Sequence, residues 1–365
     1  MELSAFKLEP CDKGIMLSWY ADQRELKLRF YGDSLSLPAA ADAAFASCLM
    51  PAMLLDERLS VDPSFTVSRN LITNLNKFQH IFASWFTDLK YVELNLAEQN
   101  LHDQIIPTER TAVFYSGGVD AGYSFFELQD QIDVLIFCLG LDIQMHETER
   151  CRIAKQSAQQ FAAHHNKQLV IIETNFRDAF PELSAQRCQI VLLITYSLAL
   201  GLRSLFVPAS HDAFELEPYI THPMTDPLLT NGATEVIHHG MVSRVQKTTA
   251  IALSAEALTF LRVCNASDQF NCGKCEKCLR TMATLLAIGA HSSALPELAD
   301  LRQLKDVKIW TPGKYHIWHD IYLCAKRNNV QELAKAVNKL CKGYEWKQLF
   351  KQFKKLSLKQ LRSLF

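Results

Sequence analysis

The chain has 365 residues, 48% of them hydrophobic and 21% charged, with a formal net charge of −1. That length suits two domains or one domain with large additions. The composition excludes an extended disordered chain, and the near-zero charge sets up no whole-molecule field toward nucleic acid or membrane. In chain order, residues 15–20 and 25–31 read as two strands joined by a polar turn at 21–24, the second alternating apolar and polar residues. Residues 42–50 read as a helix that stops before Pro51. Ser68 is a candidate N-cap for a helix to about Trp85, and 91–96 alternates as a strand.

From about residue 106, strands and helices alternate. Strands are expected at 111–115, 134–138, 169–172 and 204–207, with helices after the first glycine turn, at 147–164 and at 187–201. Continuous apolar strands separated by helices imply a parallel sheet covered on both faces. Beyond Gly289 the pattern is helical. The chain thus divides by pattern into an N-terminal α+β accessory domain (1–105), an α/β domain (106–293) and a C-terminal helical region (294–365).

Met1-Glu2-Leu3-Ser4 carries no basic or apolar leader, so no secretory signal is expected. The most apolar run, 188–207, is interrupted by Arg203 and falls short of a bilayer span, so it reads as buried core and no membrane contact is expected. Seven of the eleven cysteines are scattered and four cluster at 264–278. Without a leader, this usage fits a reduced, cytoplasmic setting and a metal site better than disulfides.

Ser116-Gly117-Gly118-Val119-Asp120 lies between the first parallel strand and its helix. Ligands of such sheets bind at the carboxyl ends of strands. Glycines admit an anion close to the backbone, and successive N–H groups and the helix N-terminus attract it. Asp120 would repel phosphate unless a Mg²⁺ ion bridged them. Neither the Walker pattern nor G-x-G-x-x-G is present. The loop resembles that of the PP-loop ATP pyrophosphatase superfamily, Ser-Gly-Gly-x-Asp-Ser, whose members split ATP between the α and β phosphates and adenylate an oxygen of the substrate. The resemblance implies a Rossmann-like fold of the adenine nucleotide alpha hydrolase (HUP) type. It implies ATP contacts at Ser116, Gly117, Gly118, Val119, Asp120 and Ala121, and at Leu139 and Gly140 after the second strand. Ala121 departs from the pattern's final serine. The lost hydroxyl is worth on the order of 0.5–1.5 kcal/mol and leaves either a weakened or an inactive loop.

Cys264-x₇-Cys272-Gly-Lys-Cys275-Glu-Lys-Cys278 supplies four thiols at metal-site spacing. Zn²⁺ in a closed structural site is expected, with an iron–sulfur cluster as the other reading. Phosphate loop and cysteine pattern together, over about 110–290, resemble 7-cyano-7-deazaguanine synthase. That family adenylates 7-carboxy-7-deazaguanine, forms the amide with ammonia and then the nitrile. The resemblance implies an ATP-dependent C–N ligase acting on that acid or a related one. The added regions leave open transfer to an amine on a protein or peptide partner. His222 and Asp226 are candidate substrate contacts. Arg244 and Lys247, at i, i+3, either stabilise the leaving pyrophosphate beside Asp120 or simply start an amphipathic helix. Asp142 and His146 are substrate contacts or ordinary loop polarity, and His238-His239 could suggest a metal but, with no third ligand evident, reads as loop polarity. The lysine-rich tail (Lys339 to Arg362) offers nucleic acid a basic grip or is the wet face of a helix burying Leu349, Phe350, Phe353, Leu356, Leu358 and Leu361. The competing functions are an RNA-modifying enzyme, whose sulfur-transfer form would need Cys138 or Cys151, and a non-catalytic nucleotide-binding subunit. A homodimer is compatible with all of these.

Overall fold

The computed structural model describes residues 1–103, 105–264 and 270–362, with backbone alone for 185, 186 and 351–362. Contacts group the chain differently from the three sequence stretches. One compact unit comprises Met1–Ser210 with Leu216–Gly240, the other His211–Glu215 with Met241–Phe365.

The first unit is built on a ten-stranded sheet. Its strands are β1 (Glu2–Cys11), β2 (Gly14–Ala21), β3 (Arg24–Tyr31), β4 (Leu59–Val61), β6 (Leu94–Asn95), β8 (Thr111–Phe114), β9 (Val134–Leu139), β10 (Gln168–Thr174), β11 (Ser204–Pro208) and β12 (Glu235–His239), while β5 (Val67–Ser68) and β7 (Leu101–His102) form a separate two-stranded ladder. The order is β12-β11-β8-β9-β10-β3-β2-β1-β4-β6. The first five in that row are parallel, β10 meets β3 antiparallel, and β3-β2-β1 is an antiparallel meander. The fold is therefore α/β with a mostly parallel centre, and the N-terminal strands extend the same sheet.

Alternation assigns the two faces. Ala112, Phe114, Val134, Ile136, Val170, Ile172, Leu205, Val207 and Val236 join one hydrophobic cluster with helices α1 (Ala40–Ser47), α2 (Leu49–Leu55), α3 (Arg69–Trp85) and α7 (Ala185–Leu198) and with meander residues such as Leu17, Leu28 and Phe30. The opposite face carries α4 (Val119–Leu128) and α5 (Thr148–His164), tied down where Tyr115 stacks on Phe161 at 4.1 Å and Phe125 meets Phe161 edge-on at 4.9 Å. Each such ring contributes roughly 1.5–3 kcal/mol by burial. The short α6 (Phe176–Ala179) follows β10.

Several expectations shift. Pro51 does not end a helix; it lies in the first turn of α2, where its missing N–H costs nothing. Ser68 holds the N-cap position of α3, yet its hydroxyl donates to the Asn231 carbonyl at 3.0 Å rather than capping. The reason is Asp42, only 1% exposed, which accepts the Ser68 N–H at 2.7 Å and Asn231 Nδ2 at 2.9 Å. Burial pushes the Asp42 carboxyl up to about 6. Only Leu94–Asn95 of the expected strand 91–96 is paired.

The second unit is helical: α8 (Arg244–Ile251), α9 (Ala255–Thr259), α10 (Glu276–Ile288), α11 (Pro312–Arg327) and α12 (Gln331–Arg362), with a 3-10 segment at Leu301–Asp306. The tail differs from its expected burial, since Leu349 is 48% and Phe350 63% exposed. The side chains of Phe353, Leu356, Leu358 and Leu361, and of the lysines from Lys351 on, lie outside the described residues. Among the described residues no helix is long and apolar enough to cross a membrane.

Candidate functional site

β8 ends at Phe114, deep in the sheet, and Tyr115 still donates to the Ile136 carbonyl of β9. The chain must then reverse to start α4 at Val119. Gly117 makes the reversal at φ 75°, a region L side chains reach only at a cost. Ser116 is exposed, and its Oγ accepts the Gly118 N–H at 3.3 Å. Gly118 is the N-cap and caps with no side chain, so the leading N–H groups of α4 face the strand ends. Asp120 is half-buried in the first turn, where the helix dipole favours a carboxylate. Val119 and Ala121 are buried in the first turn, at 1% and 5% exposure. Ser124 does not replace the missing serine. It is 1% exposed and its Oγ pairs with His239 Nδ1 at 3.0 Å.

One strand over, β9 ends at Leu139, 1% exposed, and Gly140 turns at φ 95°. A Cβ on Gly140 would stand 2.0 Å from the Thr174 carbonyl oxygen, so backbones here touch as no other residue permits. Asp142 is half-buried and His146 exposed in the loop that follows.

His222 and Asp226 come together after β11. Asp226, 1% exposed, accepts the His222 N–H at 3.0 Å and the Thr221 hydroxyl at 2.7 Å. Its Oδ2 also lies 2.7 Å from His238 Nδ1. The His238 side chain is 4% exposed, and Trp85 packs edge-on against His222 at 5.0 Å. Burial first, and the neighbouring His238 second, hold His222 below the usual imidazole range. His238 corrects its reading as loop polarity. It is the fourth residue of β12, on the face of Val236, and the carboxylate fixes which ring nitrogen bears the proton. Through the Phe206↔Val113 and Phe206↔Ile237 registers it stands two strands, about 10 Å, from the end of β8. Sequence reasoning missed it because Glu235–His239 is too short and polar to announce a fifth parallel strand.

Arg244 and Lys247 belong to the second unit. They sit in the first turn of α8, which Ser243 and Gln246 close with a reciprocal capping box. Lys247 is 2% exposed, so the pair does not form an open cationic face.

The same unit gathers Cys264, Cys272, Cys275 and Cys278, whose sulfurs all lie within 4.8 Å of one another. Two separations are 3.8 Å (Cys264–Cys275) and 3.9 Å (Cys272–Cys278). One ion with tetrahedral metal–sulfur bonds of about 2.3 Å spaces its sulfurs by about 3.8 Å. The four thiols could thus hold a single metal ion such as zinc. A four-iron cluster, with each sulfur on a different iron, would spread them further. Gly273 turns at φ 68°, and the N–H groups of Lys274 and Cys275 point at Cys272 Sγ, 3.4 and 3.2 Å away. Cys278 lies in the first turn of α10, whose N-terminus favours thiolate charge.

The structure therefore brings Ser116–Ala121, Leu139–Gly140 and His222–Asp226–His238 to the carboxyl ends of one parallel sheet, and the four cysteines to one point in the other unit. No protein-family model, no curated protein and no solved structure matches this chain.

Proposed function

We propose that the chain is an ATP-dependent ligase of the PP-loop kind, built on a Rossmann-like core of the adenine nucleotide alpha hydrolase type. In this reading it adenylates a carboxylate, 7-carboxy-7-deazaguanine or a related acid, and passes the acyl group to ammonia or to an amine on a partner. The observation that carries the reading is the Gly117 turn. It leaves Ser116, Gly117, Gly118 and the start of α4 ready to surround an anion at a strand end.

In this reading Ser116, Gly117 and Gly118 hold the β and γ phosphates of ATP, and Leu139 and Gly140 lie against adenine. Asp120 would hold a Mg²⁺ ion, which would supply charge neutralisation on the phosphates. A carboxylate oxygen of the acid attacks the α phosphorus, the α–β bridge breaks, and pyrophosphate leaves. The amine nitrogen then attacks the acyl carbon and AMP departs with the former acid oxygen. His238 Nε2 takes the amine's proton, with Asp226 holding the ring. Arg244 and Lys247 carry no step here. The reaction rests on position and fixed dipoles, not on a cysteine nucleophile.

No observation favours sulfur transfer. Burial raises the Cys138 and Cys151 thiols, and each donates to a backbone carbonyl, of Leu139 and Gln144. A nucleotide-binding subunit without turnover is the second reading, favoured by Ala121 and by the commitment of Ser124 to His239.

Incubation with ATP, Mg²⁺ and 7-carboxy-7-deazaguanine, with and without ammonia, read by mass spectrometry, tests the proposal. AMP release that depends on the acid and fails in Gly117→Ala is the expected result. AMP release with another acid alone replaces the substrate, and a protein that binds no ATP ends the enzymatic reading.

A further inference from the structure

The second unit carries a groove that the ligase reading does not use. It runs between the 3-10 segment Leu301–Asp306, with the chain beyond it to Trp310, and one side of α12. A cavity of about 770 Å³ at Leu304 and Leu340 continues into one of about 560 Å³ at Trp310 and Phe350. The two share Ile309, Tyr344 and Lys347, so they form one channel.

Its floor is aliphatic. Leu304, Val307 and Ile309 are 3–6% exposed on one wall, and Ala336 and Leu340, one helical turn apart, line the other. Its rim is cationic. Lys305, Lys308, Lys339 and Lys347 are all exposed; Lys305 feels Asp300 electrostatically, and Asp300 already pairs with Arg302 at 2.9 Å. Glu332 is the one acid lining the channel among the described residues, and Lys335 already pairs with it at 2.8 Å. At one end Trp310 is 65% and Trp346 72% exposed, with Lys347 Nζ 5.7 Å from the Trp310 ring centre.

An apolar channel edged by exposed cations in excess over acids fits a ligand that is apolar in the middle and negative at its edges. A second copy of this surface would bring lysines against lysines. Single-stranded nucleic acid would satisfy the rim but leave the aliphatic floor unfilled, since bases stack on aromatic rings. We infer that this groove docks an acidic amphipathic helix of a partner protein. Leucine-type residues at helical spacing would enter the channel, and glutamates or aspartates would meet the lysine rim. The inference stands on the groove alone and does not depend on the chemistry of the first unit.

The test is selection of displayed random peptides of about sixteen residues, roughly four helical turns, against the full-length protein. Enriched sequences should be acidic with apolar residues at i, i+4 and i+7. Their binding should weaken at least about tenfold in Lys305→Glu/Lys339→Glu, and by a similar factor between about 0.05 and about 0.5 M salt with the unaltered protein. Both lysines are exposed, so the variant should fold normally, and the salt series decides the matter if it does not. The inference is overturned if enriched peptides are basic or show no charge bias, or if charge reversal leaves them bound. It is equally overturned if a mixed-sequence single-stranded RNA or an anionic lipid vesicle displaces them at concentrations below their own dissociation constants.

Discussion

The turn at Gly117 and the turn at Gly273 begin alike. Both glycines hold positive φ, 75° and 68°, and both lead into a helix N-terminus. They end differently because of what stands opposite. At Gly117 the neighbours are a serine hydroxyl and glycine backbone, held by a sheet whose strands and rings are already packed. The turn is preformed, with an internal bond running from the Gly118 N–H to Ser116 Oγ, and it opens onto the N-terminus of α4. At Gly273 the N–H groups are turned onto Cys272, and the shape rests on four thiols that repel once deprotonated. One bend is set by the core and offers a site. The other gathers four sulfurs that a single metal ion could tie together.

Breaking the second bend should have the largest effect. Cys272→Ser with Cys278→Ser removes half the sulfurs. If the four sulfurs hold a metal, elemental analysis should show it in the unaltered chain and not in the variant, and the second unit should become sensitive to limited proteolysis, with a destabilisation of about 5 kcal/mol or more. An unchanged melt with metal absent would mean the knuckle is held by packing alone. Next in size is Gly273→Ala. Its Cβ would come 2.6 Å from Pro296 Cγ at a strained φ, so about 2–4 kcal/mol should be lost in denaturant melts. A cost under about 1 kcal/mol would show that the loop slides to make room.

The first unit can be probed by pH through Asp42. Its folded carboxyl is raised to about 6 from an ordinary value near 3.8. Its contribution is therefore complete below about pH 4 and is lost as pH rises through about 6, by up to about 3 kcal/mol. Asp42→Ala should cost more at pH 4 than at pH 7, and equal costs at both would remove Asp42 from the account. The smallest effect should be Ala121→Ser. An added hydroxyl at the head of α4 is worth no more than about 1 kcal/mol, or a few-fold in ATP affinity by calorimetry. Unchanged turnover with ATP already tightly bound would favour the subunit reading over the ligase.

The alternating run at Arg24–Tyr31 and the apolar runs at β8, β9, β10 and β11 were readable because each repeats the period of a half-buried or fully buried strand. Glu2–Cys11 was not. It has a bulge between Ser4 and Lys7, Ala5 at φ 54° and Pro10, and most of its side chains are wet. The four clustered cysteines are local in sequence, so spacing alone pointed to their meeting. The Asp226–His238 pair is made by a turn and a distant strand, and only the register of β12 on β11 brings it into view.

The antiparallel seam between β3 and β10 has a consequence for biogenesis. Tyr31 faces Ile171 across that seam, so the meander made first on the ribosome must wait for most of the parallel half to be synthesised. Until then β3 is an open edge, of the kind that pairs with strangers. Such distant closure slows folding, and nascent chains stalled before β10 emerges should lean on chaperones more heavily than those stalled after it.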